Sequence, residues 1–156
     1  MTDVQKELTL TREFDAPRER VFKAWTDPEQ VVKWWAPNGA TNEINKWEAI
    51  AGGKIDLVMI AGPELGPLEG QHWPMQGEFK EVDVPSKLSF TGNAILNGKE
   101  ILQHLTTVTF EEVNGKTKMT VHIKVTKIVM PEAQGALAGM EMGWNQQLDK
   151  LVKFTS

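Results

Sequence analysis

The chain has 156 residues, enough for one domain, residues 1–156, whose core buries most of its apolar surface. Its 40% hydrophobic and 24% charged content is that of a soluble globular protein, and a net charge of −4 with acids and bases interspersed leaves no basic footprint for a nucleic acid. The absence of cysteine excludes disulfides, thiolate nucleophiles and cysteine-bound metals together.

The polar start, Met1 to Glu7, has no apolar signal-peptide segment. No later run approaches the roughly 20 apolar residues of a membrane span, so no membrane insertion and a cytoplasmic address are expected. Leu8, Leu10 and Phe14 alternate with Thr9, Thr11 and Glu13, the pattern of a half-buried strand. Asp15-Ala16-Pro17 stops it and opens a helix with Pro17 in its first turn and Val21, Phe22 and Trp25 on its apolar side. Asp27 then reads as an N-cap, with Pro28 at the first helical position and Gln30 placed to close a capping box. This second helix carries Val31, Val32, Trp34 and Trp35 and ends before Pro37-Asn38-Gly39.

From Ala40 onward the pattern is that of strands. Gly52-Gly53 is a turn, and Ile55, Leu57 and Met59 alternate with Lys54, Asp56 and Val58. Ala61 to Gly70 is too rich in glycine and proline for regular structure and predicts a long loop. Strands are expected to resume around Phe79, turn at Pro85-Ser86, run through Leu88 and Phe90, and turn again at Asn97-Gly98. Asn114-Gly115 favours a two-residue type I′ hairpin, which fixes a register. That register sets Phe110 opposite Met119, Val108 opposite Val121, Thr106 opposite Ile123 and His104 opposite Val125. Glu111 then meets Lys118, and Thr109 meets Thr120, on a solvent face. After Pro131 a helix of about 35 Å is expected as far as Phe154. Ala133, Leu137, Met140, Trp144, Leu148 and Leu151 form its buried stripe, with Gly135, Gly139 and Gly143 on the opposite side.

A sheet with one apolar face must bury it, and the terminal helix is the one element long enough. The expected fold is therefore α+β, a curved antiparallel sheet around a long C-terminal helix, in the order strand, two helices, five or six strands, helix. The space between sheet and helix is either filled or hollow. Six tryptophans and no tyrosine fit both readings, since indoles pack cores and also frame cavities.

The stretch Phe14-Asp15-Ala16-Pro17 through Val21-Phe22-Lys23-Ala24-Trp25, with Asp27-Pro28 and Trp34-Trp35, resembles the opening of the Aha-type family. Further matches are Gly52-Gly53-Lys54, Gly77-Glu78-Phe79 followed by Pro85 and Leu88, and Gly143-Trp144 with Leu148-Asp149-Lys150-Leu151. The family is named for a co-chaperone that activates the ATPase of a heat-shock chaperone, and it lies in the START/SRPBCC superfamily with the birch-pollen-allergen fold and polyketide cyclases. The resemblance implies a helix-grip fold with a ligand cavity, and functions that range over lipid carriers, receptors, cyclases and co-chaperones.

Resemblance and pattern together place Trp34, Trp35, Met59, His72, Trp73, Met75, Phe79, Phe90, His104, Met140 and Trp144 around that cavity. Indole and thioether groups form an adaptable lining for a small apolar or aromatic molecule. The bland alternative is a core that these residues fill. His104 falls on the apolar face and is either a structural histidine bonded to a neighbour or an orienting group and proton acceptor for a ligand. His72 is expected in the loop at the cavity mouth, and His122 faces solvent. The histidines lie too far apart in sequence for a metal motif, no serine sits in a nucleophile elbow, and no cofactor is implied. Glu78 and Glu81 reach acid–base chemistry only if one turns inward, and Glu78 reads more simply as an outward strand residue. Three functions compete: binding of a small hydrophobic molecule, a cofactor-free enzyme of cyclase, dehydratase or hydrolase type using His104, His72 or Glu78, and a chaperone-interacting stress protein. A monomer or weak homodimer is expected, the glycine side of the last helix being a candidate self-association face.

Overall fold

In a computed structural model, residues 7–36, 38–96, 99–128 and 133–155 are described, with all their side chains except those of residues 96, 101, 128 and 133–140. The elements are β1 (Glu7–Phe14), α1 (Arg18–Thr26), α2 (Pro28–Trp34), β2 (Ala40–Trp47), β3 (Lys54–Ala61), β4 (His72–Asp83), β5 (Lys87–Leu96), β6 (Lys99–Val113), β7 (Lys116–Ile128) and α3 (Ala133–Thr155). Among the described residues the strands make one seven-stranded antiparallel sheet in the order β1-β7-β6-β5-β4-β3-β2. The α+β helix-grip fold expected from the sequence is the fold observed.

The β6–β7 hairpin follows the turn chemistry. Asn114 and Gly115 have φ of 53° and 78°, as a type I′ turn requires, and all six expected pairs from Phe110–Met119 to Glu111–Lys118 are present. The register slips by one residue between Gln103 and His104, a bulge beyond the reach of turn chemistry. The Asn97-Gly98 turn and Pro131 lie outside the described residues, as do the side chains of Ala133, Gly135, Leu137, Gly139 and Met140.

Three local expectations need correction. The Ala61–Gly70 segment is not wholly irregular: Ala61 ends β3, and Pro63–Leu68 forms 3₁₀ turns kinked at Gly66, where φ is 58°. Proline supplies the helical φ and glycine the positive one, so this composition makes short turns instead of a featureless loop. Strand β4 begins at His72, seven residues before Phe79, because pairing with β3 overrides the neighbouring glycine and proline. Gln30 does not close a capping box. Asp27 does cap α2, its Oδ1 accepting from Glu29 N at 3.0 Å, but its own N–H is already given to Lys23 O, so Gln30 Nε2 turns to Asp27 Oδ2 at 3.2 Å.

The short helices are held by side chains reaching across sequence. The last carbonyls of α1 would be orphaned in the interior. Trp34 Nε1 donates to Ala24 O at 3.0 Å and Trp47 Nε1 to Trp25 O at 2.7 Å, so two indoles cap this helix while burying their rings. The α3 C-terminus is served from α1, where Arg20 Nη2 donates to Phe154 O and Nε to Thr155 O, both at 3.3 Å. On the inner face of β1, Arg12 stands where the alternation would put an apolar residue. It donates to Asn145 Oδ1 at 2.7 Å and Asp149 Oδ1 at 3.1 Å, tying the edge strand to α3.

Candidate functional site

Strand alternation directs one set of side chains to the concave face, and pairing lines them up. At one end lie Trp47 and Ile55 on β2 and β3, Phe79 on β4, Phe90 on β5, and Val108, Val121 and Ile123 on β6 and β7, all buried. Into this end the helices bring Trp25, Trp34, Trp35 and Trp144. Trp25 stacks on Trp144 at 6.4 Å between ring centroids and meets Trp34 edge-on at 4.7 Å. Trp35 lies 5.3 Å from Trp47 and 5.4 Å from Trp144. This aromatic half of the concave face is a packed core, with offset and edge contacts favoured by the ring quadrupoles.

Further along the same strands the lining changes. Met59 pairs with Trp73, Met75 with Ala94, Gly92 with His104 and His104 with Val125, which makes a contiguous methionine half. Met75 is buried, but Met59, Trp73 and Ala94 are only half-buried. The imidazole of His104 lies directly over Gly92: a Cβ there would come within 2.5 Å of Cε1 and 2.6 Å of Nε2. Only glycine leaves that room, so residue 92 sets where the ring sits. His104 Nδ1 is 3.3 Å from Thr106 Oγ1, itself buried. Burial pushes the histidine pKa down to about 4, so the ring is neutral at physiological pH and offers one donor and one acceptor.

The structure thus brings Trp34, Trp35, Met59, Trp73, Met75, Phe79, Phe90, His104 and Trp144 onto one concave face. His72 does not join them. As the first residue of β4 it alternates away from Trp73 and is exposed, so the expectation that it lines the mouth is corrected by strand parity. Met140 belongs to α3, and its side chain lies outside the described residues. Glu78 points outward as expected. Its carboxylate bonds Lys80 Nζ at 2.7 Å and Lys54 Nζ at 3.1 Å, and these two ammonium groups hold its pKa below the usual carboxylate value. His122 also faces outward, 3.2 Å from Glu7. A depression of about 490 Å³ does exist on the convex face, lined by Lys46, Lys54, Asp56, Gln76, Glu78, Thr91 and Asn93, and there Glu78 pairs with Lys54 and with Lys80 beside it. No group of three metal-ligating side chains occurs among the described residues. Likewise, no described helix is long and apolar enough to cross a membrane.

Sequence reasoning missed Gln147. It is a buried polar residue on the inward side of α3, 5% exposed, and its Nε2 has no hydrogen-bond partner among the described residues. The helical spacing to Trp144 and Leu151 was the available signal, since residues three and four apart share a face.

Solved structures share this architecture across nearly the whole chain. A protein from Chromobacterium violaceum has 22% identity and a TM-score of 0.79, with 96% of each chain covered. One from Arthrobacter aurescens has 25% identity and a TM-score of 0.81, over 96% of this chain and 85% of its own. The AHSA1 protein of Silicibacter pomeroyi has 21% identity and a TM-score of 0.75, over 95% of this chain and 96% of its own. No functionally curated protein matches the chain. The family model described as "Activator of Hsp90 ATPase homolog 1-like protein" matches residues 15–155, and the chain belongs to that family, within the START/SRPBCC helix-grip superfamily.

Proposed function

We propose that the methionine half of the concave face binds a small apolar or aromatic molecule. The observation that carries this reading is the half-buried pair Met59 and Trp73 beside buried Met75 and His104, on the face that α3 spans. Thioethers and an indole adapt to varied apolar shapes, and a neutral imidazole orients a polar group without introducing charge. Membership of a helix-grip family that commonly binds hydrophobic ligands agrees with it. Native mass spectrometry of the purified chain, with anilinonaphthalene sulfonate as a fluorescent probe, tests the reading. A retained small molecule or saturable probe binding is expected, and absence of both overturns it.

A second reading is favoured by one observation, the neutral His104 bonded to Thr106. There the same face holds a substrate and His104 accepts a proton from it. His104→Gln would then abolish turnover while leaving probe binding intact, whereas equal loss of both assigns His104 to packing. A chaperone partner and a cytoplasmic, stress-related role have only the family's name behind them, and a pulldown with the chaperone tests the first.

A further inference from the structure

His104 and Thr106 stand where the two halves of the concave face meet. Thr106 pairs with Phe90 and Ile123 in the aromatic half, and His104 pairs with Gly92 and Val125 one step further along the same face, in the methionine half. The imidazole turns Nδ1 back toward Thr106, 3.3 Å from its Oγ1. Its far edge lies over Gly92, where a Cβ would be 2.6 Å from Nε2 and 3.1 Å from Met75 Sδ. The two ring nitrogens therefore face different surroundings, a hydroxyl at Nδ1 and the methionine lining at Nε2.

The neutral ring carries one proton, and the bond made at one nitrogen decides which of the two holds it. Thr106 is 0% exposed, and His104 Nδ1 is the one hydrogen-bond partner of its hydroxyl among the described residues. Other buried threonines give the hydroxyl proton to a backbone carbonyl, Thr117 to Ala16 O at 2.7 Å and Thr155 to Leu151 O at 3.0 Å. At Thr106 the imidazole nitrogen takes the place of that carbonyl. Were Nδ1 protonated, its N–H would point at Oγ1 and strand the hydroxyl proton in the core, and a buried donor without an acceptor is costly. With the ring proton on Nε2, the hydroxyl donates to Nδ1 and only oxygen lone pairs go unused, which costs less. His104 keeps 7% exposure where Thr106 has none, beside a lining whose Met59 and Trp73 are half-buried, so the ring proton is held on the less enclosed side.

We propose that Thr106 is a positioning residue that holds His104 as the Nε2–H tautomer, so that this histidine gives a hydrogen bond on the methionine side and takes no proton there. The basic nitrogen of that tautomer, Nδ1, is occupied by a hydroxyl and turned away from the methionine lining. Proton abstraction by His104, the second reading above, needs the opposite tautomer with a bare Nε2. The proposal rests on the binding role for a molecule to receive the bond, whereas the tautomer itself belongs to the chain without any ligand.

The experiment records long-range proton–nitrogen correlations of the imidazoles in the nitrogen-15-labelled full chain at neutral pH, with His104 identified by the signals that His104→Gln removes. Nε2 is expected at the upfield shift of a protonated ring nitrogen and Nδ1 at the downfield shift of a bare one. Thr106→Val should move Nδ1 further downfield, as a nitrogen that has lost its donor, and leave Nε2 in place, while Thr106→Ser should restore the wild-type shift. A proton on Nδ1, an averaged mixture of tautomers, or an Nδ1 shift indifferent to Thr106→Val overturns the proposal. The tautomer is read in the unmodified protein, so a proton found on Nδ1 overturns the proposal even if Thr106→Val does not fold. Anilinonaphthalene sulfonate is titrated in parallel by fluorescence. Nε2–H without saturable probe binding would sink the binding role and leave the tautomer assignment standing. Probe binding with the proton on Nδ1 would do the reverse, and His104 Nε2 would then be free to act as a base.

Discussion

The aromatic and methionine halves of the concave face lie on the same strands and obey the same alternation, yet they are packed to different ends. In the aromatic half every large ring touches others, and the indole N–H groups of Trp25, Trp34 and Trp47 are spent on a methionine sulfur and helix carbonyls. There the tryptophans are architecture. In the methionine half, side chains of similar size remain partly accessible, one residue is a glycine, and a histidine lies across it. Apolar residue type therefore does not separate core from site; the supply of neighbours from the helices does.

The contrast is broken or sharpened by substitution, and the largest effect is expected in the aromatic half. Trp25 is fully buried, contacts Trp34, Trp35, Phe90 and Trp144, and donates to Met119. Trp25→Ala should lower stability by about 3–5 kcal/mol in thermal or urea unfolding. A loss under about 1 kcal/mol would mean that this half is not closely packed and that the division is wrong.

His104 predicts the next effect. Its folded pKa of about 4 lies below the ordinary value of 6.5. Between those values the unfolded chain binds the proton that the folded chain refuses, so stability is greatest above pH 6.5 and falls as the pH drops toward 4. The depression corresponds to about 3 kcal/mol at most. His104→Leu should flatten the acid limb over that window, and an unchanged pH profile would place the imidazole in water.

The smallest stability effect is expected at Trp73. It is half-buried and its Nε1 donates to Gln71 Oε1 at 3.3 Å. Trp73→Ala should cost less than about 1 kcal/mol yet weaken anilinonaphthalene sulfonate binding about tenfold, the value of one large aromatic contact. A stability loss as large as that of Trp25→Ala, with binding intact, would assign Trp73 to the core and erase the distinction between the halves.

Local chemistry decided much of this molecule before any tertiary contact. Asn114-Gly115 set a hairpin register that placed His104 on the apolar side, Asp27-Pro28 started α2, and the Trp144–Leu148–Leu151 spacing identified the helix that the sheet grips. Those signals are legible because turn dihedrals, caps and helical periodicity act over a few neighbouring residues. Tertiary structure alone decided which tryptophans meet, that His72 turns to the convex face, that His104 rests on Gly92, and that Trp35 and Gln147 are buried with donors to spare. Each depends on the distance between residues far apart in the chain, and a one-residue bulge such as that at Gln103/His104 is enough to move a side chain without leaving a local trace.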